Sequence, residues 1–268
     1  MSTLAAAEVL SPPRSGSVSG PRLAAGMLGL ITLAAVLSGW LPVAFSIATV
    51  FLFAGPHNWF EARYFLGRLP ARAGKLWNFF ALAFAGVVTL AATFALLPFA
   101  ANALGGDTGA YLTAVAVWNS LLVIWVAALV DMRSRQNPRR DWGLTWPVAL
   151  GLLAANWAAP YVFSLGVVYL HPLMALWILD RELRRSRPHW RPAYHLCLLT
   201  LPLFVGVLWW RLHDAPPLPG DDQLTLAITA HAGGEILTNV STHLLVATHT
   251  FLEMAHYAVW LIAIPLIG

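Results

Sequence analysis

VSTHLLVATHTFLEMAHYAVWLIAIPLI, residues 240–267, carries a single formally charged side chain, Glu253, and three histidines in an otherwise mostly apolar run. A bilayer core ~30 Å thick needs ~20 apolar residues to be crossed as a helix. This run is long enough. Working outward, comparable stretches lie at roughly 23–41, 43–60, 77–100, 110–131, 143–159, 161–180 and 195–212. In hydrocarbon every backbone N–H and C=O must be bonded internally, which makes these stretches helices rather than strands. The expected fold is an all-α, polytopic transmembrane helix bundle of about eight spans.

Composition agrees. Of 268 residues, 59% are hydrophobic and 10% charged, against ~25% charged in soluble domains. Mean hydropathy is +0.68. So few charges leave too little polar surface for a soluble enzyme, and the pattern also excludes a nucleic-acid module. One cysteine, Cys197, excludes an internal disulfide and a cysteine metal cluster. Residues 1–22 are rich in Ser, Pro, Ala and Gly and read as a disordered cytoplasmic tail. No cleavable signal peptide is expected, because the first apolar run is long and follows this tail. The domain is then 23–268, a single helical unit. Residues 224–238, with Gly233-Gly234, are too short to span and belong on the surface or over the last helix.

The basic residues test the plan independently, because they gather on the cytoplasmic side. Arg14 and Arg22 precede the first span. Arg63, Arg68, Arg72 and Lys75 follow the second, and Arg133, Arg135, Arg139 and Arg140 follow the fourth. Arg181, Arg184, Arg185, Arg187 and Arg191 follow the sixth, and Arg211 alone falls opposite. With every span crossing once, this implies a multi-pass protein of a bacterial inner or plasma membrane with both termini cytoplasmic. The tight breaks at Pro42 and Pro160 make the flanking spans antiparallel neighbours.

Ionisable groups within a membrane cost ~2.5–3.5 kcal/mol at mid-span on insertion scales, so they persist when paired or when they work. Here they are His57, Glu61, His171, His243, His249, Glu253 and His256, beside the amides Asn119 and Asn156. In the last span, spacings of four and seven put His249, Glu253 and His256 within an arc of ~60° on one face. His243 lies on another face. Two imidazoles and a carboxylate pointing one way make a metal-ligand stripe, suited to iron, copper or zinc. The structural alternative is hydrogen bonding between helices.

Two further spans offer histidines. His171 sits near mid-span beside Pro172. In the second span, Gly55-Pro56-His57-Asn58-Trp59-Phe60-Glu61 puts His57 and Glu61 on one face, with a kink expected from Pro56. Glu61 is expected to accept from His57 and fix its tautomer. The second, sixth and eighth spans run in the same direction, so His171, Glu253 and His256 can share a layer, with His57 below or His249 above. The expectation is one centre of four histidines, or of three histidines and Glu253. Glu253, Asn119 and Asn156 are the candidate catalytic groups, Glu253 as ligand or proton acceptor and the amides orienting an oxygen species. His231 and Glu235 are four apart and are expected, if anything, to form an outer site with His243.

A dry site of this kind suits a substrate arriving from the bilayer: a carotenoid, sterol, quinone or acyl chain. The several intramembrane histidines and the Gly55-Pro56-His57 end of an early helix resemble the Brp/Blh-type membrane beta-carotene 15,15'-dioxygenase family. At motif level the resemblance is confined to those three residues. It implies non-haem iron, O2 and cleavage of a carotenoid to retinal. Other classes also accommodate the pattern. His171 and His256 could ligate a haem in an electron-transfer subunit. A transporter or an assembly protein would use the histidines as a proton path or as locks between helices.

Overall fold

In the computed structural model, residues 20–67, 73–135 and 142–267 are described, with the side chains of 73–75 left aside. The expected tail 1–22 lies mostly outside them, as do Arg14, Arg68, Arg72, Arg139 and Arg140. Among the described residues there is no strand. The same residues form ten successive helices: α1 (Gly20–Trp40), α2 (Pro42–Leu66), α3 (Ala73–Ala95), α4 (Leu97–Ala103) and α5 (Thr108–Arg135). Then come α6 (Thr145–Ala158), α7 (Pro160–Ser186), α8 (Arg191–Leu212), α9 (Gln223–His231) and α10 (Thr242–Ile267).

Seven of them are long and apolar enough to cross a membrane: α1, α2, α3, α5, α7, α8 and α10. The expectation was about eight. The stretch at 143–159 forms α6, a helix of 14 residues. At 1.5 Å per residue it reaches only ~21 Å. It starts after the Trp142–Leu144 turn and stops at Ala159, because Pro160 opens the next helix.

The single-residue breaks at Leu41 and Ala159 fold α1 against α2 and α6 against α7. Helix α10 is the centre: half of its apolar window is buried, against 6% for α3. Helices α1 and α8 pack along α10, and their cluster includes Leu179, Leu183, Tyr194, Phe251 and Trp260. Helices α2 and α7 also pack on α10, yet neither packs extensively on the other. A cleft therefore runs between α2 and α7 with α10 as its floor.

A second layer, α3 to α6, leans on α7 through α5 and α6. Polar side chains tie this layer together, as expected where lipid tails remove most of the hydrophobic drive between helices. Trp118 and Trp125 donate from Nε1 to the Leu90 and Leu82 carbonyls, both at 3.0 Å. Gly86 is required by the close approach of the second: a Cβ there would lie 1.8 Å from Trp125 Nε1.

Two π turns interrupt the α geometry, at Val50–Ala54 in α2 and at Val259–Ala263 in α10. A proline follows each by two residues, Pro56 and Pro265. Proline has no N–H for the carbonyl four residues back, here Leu52 and Leu261, and the helix widens around that carbonyl. Pro172 in α7 and Pro202 in α8 sit in helix without such a widening. The end of α2 packs on the second π turn through Tyr64 and Phe65 against Trp260, ring centroids 5.5 and 6.1 Å apart.

Candidate metal centre

A cavity of about 250 Å³ opens in the α2–α7 cleft. Five histidines line it: His57 from α2, His171 from α7, His231 from α9, and His249 and His256 from α10. Glu253 and Tyr257 share the lining, with Val167, Val168 and Pro172 as an apolar wall. His57, His249 and His256 are 8, 6 and 3% exposed and form the floor. His171 and His231 are exposed at the rim.

The α10 stripe faces the cavity because α1 and α8 cover the helix's other sides. His256 is its most buried imidazole, and neither of its ring nitrogens has a hydrogen-bond partner of acceptable geometry. A buried polar group left unpaired costs ~1–3 kcal/mol, so the ring nitrogens of His256 are open to a ligand from the cavity. The His57 and His171 rings stand 5.2 and 4.7 Å from the His256 ring, centroid to centroid.

His57 is held by its own helix. Its Nδ1–H donates to the Phe53 carbonyl in the π turn, at 3.3 Å, and Tyr257 packs on its ring at 4.4 Å. With Nδ1 so occupied, Nε2 is the free ligand, the arrangement common to metal-binding histidines. The expected Glu61–His57 hydrogen bond is thus replaced by a backbone one. Glu61 instead joins His57 and His256: each offers a ligand atom, and the three atoms lie within 4.8 Å of one another. Glu61 is therefore placed as a candidate ligand rather than a supporting acceptor.

His249 stands one tier away. Its Nδ1 lies 3.7 Å from Glu253 Oε2. The His231 ring meets His249 edge-on at 4.9 Å, and Tyr169 meets it at 5.7 Å. His231 reaches the cavity by a built route. Asp222 caps α9, accepting from the Thr225 N–H at 2.8 Å and from its hydroxyl at 2.6 Å. Gly233, at φ +98°, turns the chain back past Leu165 of α7, where a Cβ would come within 2.8 Å. The Tyr169 hydroxyl then donates to the Ala232 carbonyl at 3.0 Å, fixing the end of α9 to α7.

Several expectations change. No single layer gathers all the ligands: His249 does not fall within ligand distance of His57, Glu61 and His256 as a set. Asn119 and Asn156 do not line the cavity. They are buried between α5, α6 and α7, where the Asn119 amide donates to Asn156 Oδ1 at 2.8 Å and to Ser164 Oγ at 3.0 Å. The Asn156 amide donates to the Ala116 carbonyl at 2.8 Å. Satisfied amides of this kind join helices. His243 leaves the expected outer site, because its Nε2–H donates to the Gly39 carbonyl of α1 at 3.0 Å. Sequence reasoning gives His231 too little weight. The signal for it is the four-residue spacing to Glu235, the same as His57–Glu61 and His249–Glu253, together with the Gly233-Gly234 turn.

No family model, curated protein or solved structure matches the chain. The reading of function therefore rests on the site.

Proposed function

We propose that this protein is an integral-membrane, histidine-rich metalloprotein, an oxygenase or oxidoreductase that uses non-haem iron on a lipophilic substrate. One observation carries the reading: the buried, unpartnered His256 imidazole sits within ligand distance of His57 and Glu61. Two imidazoles and one carboxylate are the donor set associated with non-haem iron oxygenases, which leave other positions open. Bound there, iron would supply the activation of O2 that side chains alone lack.

The chain's own residues do the rest. The Phe53 carbonyl fixes the His57 tautomer. Val167, Val168 and Pro172 keep the cavity wall apolar and limit competing water. Glu253, in the lining, would take or return a proton. The cleft between α2 and α7 faces sideways along the helices, which suits entry of a carotenoid, quinone, sterol or acyl chain from the bilayer. At about 250 Å³ the cavity takes a segment of such a chain, with the remainder lying along the cleft. The same size weighs against the haem alternative, whose macrocycle would have to lie between the histidines. Copper and zinc remain compatible with imidazole donors, and the carboxylate in the set favours iron or zinc over Cu(I).

Elemental analysis and an absorption spectrum of the detergent-purified protein test this. Iron without a Soret band is expected. A Soret band would replace the oxygenase by a cytochrome-like subunit, and absence of any metal would remove both.

A further inference from the structure

We propose that the cavity binds the ring end of a lipophilic phenol or quinol, whose hydroxyl bridges His249 and Glu253. The phenol site rests on the reading of the cavity as a pocket for a lipophilic substrate and names that substrate's class.

The geometry around His249 points to it. The residue is 6% exposed and lines the cavity. Among the described residues no hydrogen bond reaches its ring; two other rings hold it edge-on instead, His231 at 4.9 Å and Tyr169 at 5.7 Å. Its Nδ1 lies 3.7 Å from Glu253 Oε2, beyond hydrogen-bond length. An oxygen set beside that gap comes within hydrogen-bond length of both atoms.

These two partners select a hydroxyl. A carboxylate oxygen accepts, and the Nδ1–H of a neutral imidazole donates. A hydroxyl answers both at once, accepting from His249 and donating to Glu253. A carbonyl or an ether only accepts, which leaves Glu253 without a donor. A hydrocarbon bonds to neither and shuts water away from both. A site built to bond a hydroxyl rejects analogues that lack it far more strongly than it rejects a change of one methylene. An anionic head, such as a fatty carboxylate, meets Glu253 and no counter-charge, because the described lining contains no Lys or Arg.

The rest of the lining suits a ring. Five imidazoles and Tyr257 surround the space, and aromatic rings pair well edge-to-face or offset. A cavity of ~150 Å³ accepts benzene. About 250 Å³ therefore takes one substituted ring, but not the four fused rings of a sterol. An apolar tail leaves past Val167 and Val168 along the α2–α7 cleft. Glu253 is four residues from His249 and three from His256, so the hydroxyl it holds lies about one helical turn from the His57, Glu61 and His256 set.

The test is competition binding. Full-length protein in nanodiscs, without added metal, is titrated with tritiated para-dodecylphenol, and empty nanodiscs give the blank for partition into lipid. Para-dodecylanisole, the methyl ether, and dodecylbenzene are the competitors. The wild type is expected to hold the phenol at least tenfold more tightly than either. H249F keeps a ring between His231 and Tyr169, and both it and E253L are expected to abolish the preference. E253Q keeps an acceptor oxygen and is expected to retain it. Far-UV circular dichroism follows helicity, and the wild-type series needs no variant to fold. Equal competition by dodecylbenzene overturns the hydroxyl site, and equal competition by the anisole overturns donation to Glu253 and the proposal with it. A preference that survives in both H249F and E253L places the hydroxyl elsewhere and also overturns it. Iron loading of the same protein separates the two readings. Iron without a phenol preference overturns the ring site and leaves the metal centre, whereas a phenol preference without iron overturns the metal centre and leaves the ring site.

Discussion

His243 and His256 lie on the same helix and differ in what their rings meet. His243 donates to the Gly39 carbonyl, whereas His256 is enclosed without a partner for either nitrogen. Their alanine variants should therefore separate. H256A is expected to lose iron at least tenfold with helicity unchanged. H243A is expected to keep its iron and to lose ~1 kcal/mol of stability, the net worth of an ordinary hydrogen bond. Iron content and thermal unfolding in detergent read the two effects. Asn119 makes the complementary case. N119A removes donors to Asn156 and Ser164, and membrane hydrogen bonds of this kind are worth ~0.6–2 kcal/mol. Unfolding should come earlier, with iron per chain unaltered. At this scale the sequence revealed which side chains were costly in lipid, and the stripe of His249, Glu253 and His256 followed from helical spacing. It did not reveal partners. The Asn119–Asn156 pair spans 37 residues of chain, so nothing local distinguished a helix lock from a catalytic amide.

The elements that aim these side chains are α2, α9 and α10. In α2 the π turn ends two residues before Pro56, which gives no hydrogen to the Leu52 carbonyl. P56A restores that donor and favours plain α geometry. Removing the extra residue of a π turn rotates the downstream part of the helix by ~100° relative to the upstream part, which carries His57 off the cavity floor. Iron affinity should fall at least tenfold while helicity holds or rises, measured by metal titration and circular dichroism. Helix α9 depends on its cap. The Thr225 hydroxyl and N–H hold the Asp222 carboxyl below its ordinary range. A depressed acid stabilises the fold above its unfolded value, ~3.9 for aspartate, and loses that contribution as pH falls through its folded value. Residues 223–231 should thus stay protected at neutral pH and exchange their amides faster only in acid below about pH 4. Hydrogen exchange checks this, and equal protection across that range would remove the cap's role. The kink at Pro56 was legible from proline chemistry. The inward swing of α9 was not, because it depends on Leu165 and Tyr169 of another helix.

The molecule as a whole presents a cleft with α10 at its base and α2 and α7 as walls. If substrate enters there, bulk on the α7 wall should block it without touching the ligands. V168W is expected to retain its iron and to lose most turnover of a lipophilic substrate, while unchanged turnover would place the entry elsewhere. Oxygen consumption by the iron-loaded protein with candidate lipids measures it.

Hydropathy is a sum over neighbouring residues, so the chain alone specified an all-α bundle with membrane-spanning helices and the faces on which its histidines lie. Helical geometry depends on spacing, which the sequence carries in full. Tertiary structure decided the rest: that 143–159 yields a helix of only 14 residues, that Glu61 stands with His57 and His256, and that His231 meets His249. It also set Asn119 and Asn156 apart as a bond between helices. These outcomes depend on which helices touch and at what rotation, and packing between distant segments of the chain sets both.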